Sequence, residues 1–422
     1  MPPSSEWGTF KESRSAPIHR WFSFPAGFSY RAVEWAIGAS PGAPPTRILD
    51  PFAGSGTVSV VAKGRGIPSG GTEAHPLVAR IARTKVRWDY DMDALRAASE
   101  EFLASLEETG PGLAEEYPVE ALPELVRKCF SRENLGRLLH VRETLRRRGR
   151  TEYRDLFELA LLAALRDASA AATGWPYIAP RHRIRESDGL EAFRRRLRQF
   201  VDDLVATPAQ VRRIPADVRE GDCRSSPFEE GSFDLAFTSP PYLNNYDYAD
   251  RTRLESYFLG FASSWREISE RVRQRLVVSA TTQVERGDRL PRDLLSPEVE
   301  RADPRVARGL RERIEELSRR RLHKGGRKSY DLMVALYFND MTRALAETAR
   351  LLRPGSRFLL ILGDSAPYGV HVPTEVYLGR LARGLGFRQS SLWPLRRRGE
   401  KWRSNPQRHR VALRESLLVL RN

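Results

Sequence analysis

Apolar positions along this chain recur with two periods, and the switches between them mark its segments. Arg47-Ile48-Leu49-Asp50 is a short apolar run preceded by Pro41, Pro44 and Pro45 and followed by a glycine turn, which predicts a buried strand. Residues 57–64 read as the following helix. Gly64, Gly66 and Gly70-Gly71 lead to a second strand-like segment ending at Glu73, and residues 76–87 are helical again. A short amphipathic helix over Tyr30 to Ile37 precedes the set. This β-turn-α-β-α order opens a doubly wound sheet. From about 90 to 210 the period changes. Leu95 to Leu106, Leu135 to Leu145 and Tyr153 to Leu165 repeat at helical spacing, and strand-like stretches are almost absent.

The sheet pattern resumes near Ile214, with a short strand before Gly221-Asp222 and another at Phe233-Asp234-Leu235-Ala236-Phe237. Residues 262–328 are helical and strongly charged, with few apolar anchors. An amphipathic helix over 330–352 stops at Arg353-Pro354-Gly355. A strand at Arg357 to Leu362, a helix over 374–385 and a terminal strand at Glu415 to Leu420 complete the chain.

At 422 residues the chain is long enough for one elaborated α/β domain or two with sizeable cores. The 70 Lys and Arg against 54 Asp and Glu leave a net charge of +16, an excess that favours a polyanionic partner. Two cysteines, Cys129 and Cys223, have neither metal-ligand spacing nor a disulfide framework, so no metal site and a reducing cytoplasm are expected. Neither a signal peptide nor a membrane-spanning apolar run is evident.

Two loops carry candidate chemistry. Asp50-Pro51-Phe52-Ala53-Gly54-Ser55-Gly56-Thr57 joins a strand to a helix and suits an adenosyl cofactor. Gly54 and Gly56 allow backbone N–H groups to come close to a methionine carboxylate, and the helix beginning near Thr57 adds a favourable field. Asp50 is expected to meet the ammonium, Glu73 the two ribose hydroxyls, and Asp222 the adenine amine. A nucleotide-phosphate loop is the rival reading. The Walker lysine is missing and the spacing is not GxGxxG, which argues against it.

The second loop, Thr238-Ser239-Pro240-Pro241-Tyr242, also directly follows an apolar strand. An exocyclic base amine is a poor nucleophile because its lone pair is delocalised into the ring. Two acceptors, the Ser239 oxygen and the Pro240 carbonyl, would draw its hydrogens and restore tetrahedral character. Pro240 and Pro241 would hold those acceptors in place, and Tyr242 offers a face for an extruded base. An ordinary proline turn has the same composition, but its position after the Asp222 turn and a second strand favours the chemical reading.

In these motifs the chain resembles the amino-group DNA methyltransferases, which modify cytosine N4 or adenine N6. The Asp50–Thr57 segment matches their cofactor motif and Thr238–Tyr242 their catalytic motif. Phe22-Ser23-Phe24-Pro25-Ala26-Gly27-Phe28 is similar to the aromatic-proline segment that closes over the methionine end, with Phe24 and Pro25 as contacts. The resemblance covers about half the chain. It implies a Rossmann-like class I methyltransferase α/β sheet with helices on both faces, two mainly helical insertions, S-adenosyl-L-methionine as cofactor and duplex DNA as partner. It also leaves room for a cognate restriction endonuclease. Ser at position 239 favours N4-cytosine; N6-adenine is the alternative. An RNA base methyltransferase and a DNA-binding protein without turnover are further rivals.

On this reading 1–88 holds the aromatic-proline segment and the cofactor half of the catalytic domain, and 89–212 is a helical insertion that is a candidate DNA-recognition region. The catalytic-loop half spans 213–261, a charged helical insertion expected to contact DNA spans 262–329, and 330–422 completes the domain. Asn244 and Asn245, directly after the catalytic loop, are candidate base contacts. Arg319, Arg320, Arg321, Lys324, Arg327 and Lys328 form the densest basic run, and Arg397, Lys401 and Arg403 belong to a second cluster in which Asn405-Pro406 suggests a hairpin turn. Direct amine methylation needs no strong base, so no histidine is assigned a catalytic role. Carbon-5 methylation would need a nucleophilic thiolate, for which neither Cys129 nor Cys223 is suitably placed.

Overall fold

The computed structural model describes residues 4–23, 27–39, 43–108, 117–172, 178–285, 294–323, 325, 328–399 and 411–422. Its strands, in chain order, are β1 (Ile48–Asp50), β2 (Ser69–Glu73), β3 (Ala171–Ala172), β4 (Ala179–Arg183), β5 (Ala216–Glu220), β6 (Phe233–Thr238), β7 (Leu352–Gly363), β8 (Gln389–Arg398) and β9 (Leu413–Arg421). Among the described residues β3 and β4 pair only with each other. The others form one seven-stranded sheet in the order β5-β2-β1-β6-β7-β9-β8. From β5 to β7 neighbouring strands run parallel; β9 runs against both β7 and β8.

The helices are α1 (Tyr30–Gly38), α2 (Thr57–Gly64), α3 (Pro76–Val86), α4 (Met92–Glu108), α5 (Glu124–Cys129), α6 (Arg132–Arg147), α7 (Arg154–Ala168), α8 (Gly189–Val205) and α9 (Ala209–Arg212). After β6 come α10 (Arg253–Phe258), α11 (Trp265–Arg271), α12 (Pro297–Ala302), α13 (Pro304–His323), α14 (Tyr330–Leu351) and α15 (Thr374–Gly384).

Side chains alternate across the sheet, which is why it needs helices on both sides. Leu235, Phe237, Leu359, Ile361 and Leu417 pack with α1 and α2 on one face. Ala236, Phe358, Leu360, Leu362, Leu418 and Leu420 pack with α13, α14 and α15 on the other. The strand order, with one antiparallel strand near the edge, is that of the Rossmann-like methyltransferase sheet. Residues 89–212 pack their own apolar cluster onto α3, beside the β2–β5 end of the sheet. Ser131 and Asp188 cap α6 and α8 by accepting from the amides of Asn134 and Glu191.

One expectation needs correction, and two elements add to the pattern. Residues 262–328 are better anchored than their charge suggests, because Val306, Leu310, Ile314 and Leu317 of α13 recur on one face and are fully buried. The stretch 90–210 contains the β3–β4 ribbon. β8 is a strand that the sequence pattern hides, since Pro394 and a run of arginines interrupt it; as the edge strand it tolerates both. Among the described residues no helix is long and apolar enough to cross a membrane.

Candidate functional site

The loops after β1 and β6 meet at the same edge of the sheet. Gly54 and Gly56 both take positive φ, +52° and +84°, so the chain turns sharply into α2. A Cβ on Gly56 would sit 3.3 Å from that of Ala82 in α3, so this glycine also permits close helix approach. Asp50 ties the two loops together. Its Oδ1 accepts from the Phe52 amide at 3.1 Å and from the Thr238 hydroxyl at 2.7 Å. Burial pushes the Asp50 carboxyl up to about 7, against the lowering effect of those two hydrogen bonds.

Glu73, at the end of β2, accepts from the Gly54 amide at 2.8 Å and from the His75 amide at 2.8 Å. Burial again dominates, raising its carboxyl to about 7 although these bonds favour the anion. One pocket is lined by Phe52, Ala53, Gly54, Ser55 and Thr57 from the first loop, Glu73 and Asp222 from the next two strand ends, and Ser239 and Pro241 from the second loop. The two distant motifs therefore face a single space. Phe28 lines it as well and packs on Phe237 at 5.3 Å between ring centroids, so the N-terminal aromatic segment reaches the site.

Backbone hydrogen bonds change several of the expected roles. The amides of Gly54 and Gly56 are already engaged, with Glu73 and with the Ala53 carbonyl at 2.8 Å, so neither is held in reserve for a carboxylate. Asp50 lies behind the loop and does not line the pocket; its Oδ2 is buried without a hydrogen-bond partner among the described residues. Asp222 lines the pocket and is gripped by Arg224. Burial alone would raise its carboxyl, but the hydrogen bonds and charge of Arg224 hold it below the usual range.

Ser239 donates its hydroxyl to the Ile361 carbonyl at 3.3 Å, which leaves its oxygen lone pairs as acceptors. Pro240 is buried and is not among the pocket-lining residues. Tyr242 does not present a free face. It is 8% exposed, its hydroxyl donates to Glu415 at 3.0 Å, and the Arg398 guanidinium lies 5.0 Å from its ring centre. Burial beside Glu415 pushes its phenol well above the usual range. The tyrosine that lines the pocket, beside Phe28 and Phe52, is Tyr248.

Other lining residues were not anticipated. His75 and Cys223 are neighbours of Glu73 and Asp222, a proximity that is visible in sequence. Burial lowers the His75 imidazole to about 3 and pushes the Cys223 thiol well up, so both are neutral there. Arg275, Leu276 and Val277 come from the charged stretch after α11, and no sequence signal marks them.

Phe24 and Pro25 lie outside the described residues, as do Lys324, Arg327, Lys401, Arg403 and the Asn405-Pro406 turn. Asn244 is exposed in a left-handed conformation, and its amide donates to the Ser279 carbonyl at 2.8 Å; Asn245 is half-buried. Arg319 and Arg320 pair with Glu316, Arg320 also donates to the Tyr368 carbonyl, Arg321 is half-exposed, and Lys328 lies 5.9 Å from the Tyr330 ring centre. Arg397 is exposed on β8, whereas its neighbours Arg396 and Arg398 are tied to Glu415 and to the Asp364 carbonyl.

No family model matches the chain. It is 24% identical to type II methyltransferase M.AvaI, found in a Nostoc species and in Anabaena variabilis, over 90% of this chain and 81% of that protein. It is also 24% identical to type II methyltransferase M.BsoBI of Geobacillus stearothermophilus, over 97% of this chain and 87% of the relative. Among solved structures, an rRNA methyltransferase, aviRa from Streptomyces viridochromogenes, aligns with 98% of this chain and 92% of its own at 12% identity. Its TM-score of 0.31 is too low to bear on fold or function.

Proposed function

We propose that this chain, a member of the amino-group methyltransferase family, methylates the N4 amine of cytosine at specific sites in duplex DNA after swinging the base out of the helix. S-adenosyl-L-methionine is its cofactor. The observation that carries the reading is the shared pocket, in which Gly54 and Glu73 face Ser239 and Pro241. The residues present fit the cofactor: a buried carboxylate at the end of β2 suits a ribose diol, and a glycine turn leaves room beside it. When bound, the cofactor supplies a methyl group on a sulfonium sulfur, and direct in-line transfer to an amine needs no covalent enzyme intermediate.

The chain's own residues supply position and polarity. With its hydrogen committed to Ile361, Ser239 can accept from the target amine. The Asp50–Thr238 hydrogen bond holds that acceptor in register with the cofactor loop. Tyr248 gives a swung-out base an aromatic wall. Neutral Cys223 suits amine methylation, not attack on a ring carbon. The net charge of +16 and the kinship to type II methyltransferases support a DNA substrate. The reading is tested by incubating the protein with labelled cofactor and duplex DNA, then digesting the product to nucleosides. N4-methylcytosine is expected. N6-methyladenine alone would move the reaction to adenine, and methylation of RNA in preference to duplex DNA would overturn the substrate class.

A further inference from the structure

A second cavity, of about 410 Å³, lies where residues 89–212 meet the sheet domain. Its volume is in the range of ligand sites. Five arginines line it: Arg80 and Arg83 from α3, Arg142 and Arg146 from α6, and Arg154 at the start of α7. Among the described residues only two carboxylates line it with them, Glu158 and Glu220, and each is already committed. Glu158 pairs with Arg80, and Glu220 accepts from Arg275 at 2.8 Å.

Three of the remaining guanidiniums, those of Arg142, Arg146 and Arg154, are held in place by backbone carbonyls or by one shared acid. Arg142 donates to the Phe258 carbonyl and Arg146 to the Leu259 carbonyl at 2.9 Å, and both share Glu143. Arg154 donates to the Gly149 carbonyl at 3.0 Å. Arg83 is exposed and belongs to none of the ion pairs found among the described residues. Burial, and after it the neighbouring Arg146, lower the Arg142 guanidinium from its ordinary value, although Glu143 opposes the shift. Pre-oriented guanidinium forks of this kind match the oxygens of a phosphate.

The cavity adjoins the reaction site. Pro76 lines it and follows His75, which lines the cofactor pocket, and Glu220 lines it while holding Arg275, which also lines the cofactor pocket. The geometry points to this cavity as the seat of a backbone phosphodiester of the bound duplex, gripped chiefly by Arg83 and Arg146. The inference rests on the DNA reading and adds to it a backbone anchor at the junction between the 89–212 region and the sheet.

The test uses the full chain, with Arg83→Gln and the double variant Arg83→Gln/Arg146→Gln, each checked for unchanged S-adenosylmethionine affinity. Duplex binding and the KM for DNA are measured across a salt series. The expected result is a DNA affinity about five- to ten-fold weaker, a salt slope shallower by about one, and an unchanged kcat at saturating DNA. Wild-type affinity and salt slope in both variants would overturn the anchor while leaving methylation intact. A thermal shift with inorganic pyrophosphate that vanishes in the variants, beside unchanged DNA binding, would also overturn it, in favour of a site for a free anion. A wild-type protein that neither binds nor methylates duplex DNA would instead fail the underlying reading.

Discussion

Thr238 donates its hydroxyl to the Asp50 carboxylate at 2.7 Å, so the residue before Ser239 is bonded to the first residue of the cofactor loop. The two loops behave as one unit because a buried carboxylate, 1% exposed, holds their strand ends side by side. Thr238→Val keeps the shape and removes the donor. It should cost about 1–3 kcal/mol of stability, since the acid stays buried with one bond fewer. Cofactor affinity and turnover should fall together, while Thr238→Ser retains both; calorimetric melting and titration would show this, and an unperturbed Thr238→Val would remove the linkage.

If Glu73 holds the ribose, as proposed, it links cofactor binding to pH. Its carboxyl is raised to about 7 in the free protein, so it is largely protonated below that pH and ionised above it. Ribose hydroxyls donate better to the anion, so binding lowers the carboxyl's pKa and releases a proton. Affinity for S-adenosylmethionine should therefore rise as pH increases through about 7 and level off above it. Glu73→Gln should weaken binding and flatten that rise. An equal slope in wild type and variant, measured by titration at a series of pH values, would exclude Glu73 as the titrating group.

On the proposed reading, Ser239→Ala removes an acceptor from the reacting amine but leaves the cofactor pocket in place. Turnover should fall on the order of 10²-fold, with cofactor affinity within about two-fold of wild type. Single-turnover methyl transfer, alongside cofactor titration, separates the two effects. Full activity in the variant would remove Ser239 from the reaction.

Tyr242 and Tyr248 should separate by phenotype. Tyr248→Ala should impair base extrusion, read as a reduced fluorescence change from 2-aminopurine at the target position. Tyr242→Phe should leave that signal intact and cost stability of about 1 kcal/mol through the lost hydrogen bond to Glu415. The opposite pattern would return the stacking role to Tyr242.

Arg166 of α7 pairs with Glu255 of α10, and its other nitrogens donate to the Ser23 carbonyl at 2.9 Å and the Arg251 carbonyl at 3.0 Å. Glu255 is fully buried. Arg166→Met should destabilise the protein by about 3–5 kcal/mol because it strands that carboxylate, whereas Arg166→Met/Glu255→Leu should recover much of the loss. Chemical denaturation of both variants checks this; equal stability of the two would mean the pair is not coupled.

Much of the sheet was legible from local pattern. The apolar runs at Ile48–Asp50, Phe233–Thr238 and Leu413–Arg421 are strands because alternate side chains must be covered on two faces, and the glycine turn after Asp50 starts α2 at Thr57. The motif residues that end up in one pocket were recognisable because their chemistry is local: a turn that needs glycine, and a loop stiffened by proline. Long-range packing decided the rest. Arg275, Leu276 and Val277 reach the pocket only because the chain after α11 folds back across it, and Asp50 turns from the pocket because Thr238 captures its carboxylate. β8 exists as an edge strand because β9 offers it hydrogen bonds, which no composition of arginines and a proline foretells. Periodicity and turn chemistry are properties of a few adjacent residues and so are written in the sequence. Which charge meets which carbonyl depends on residues more than a hundred positions away, and is settled only when the chain closes on itself.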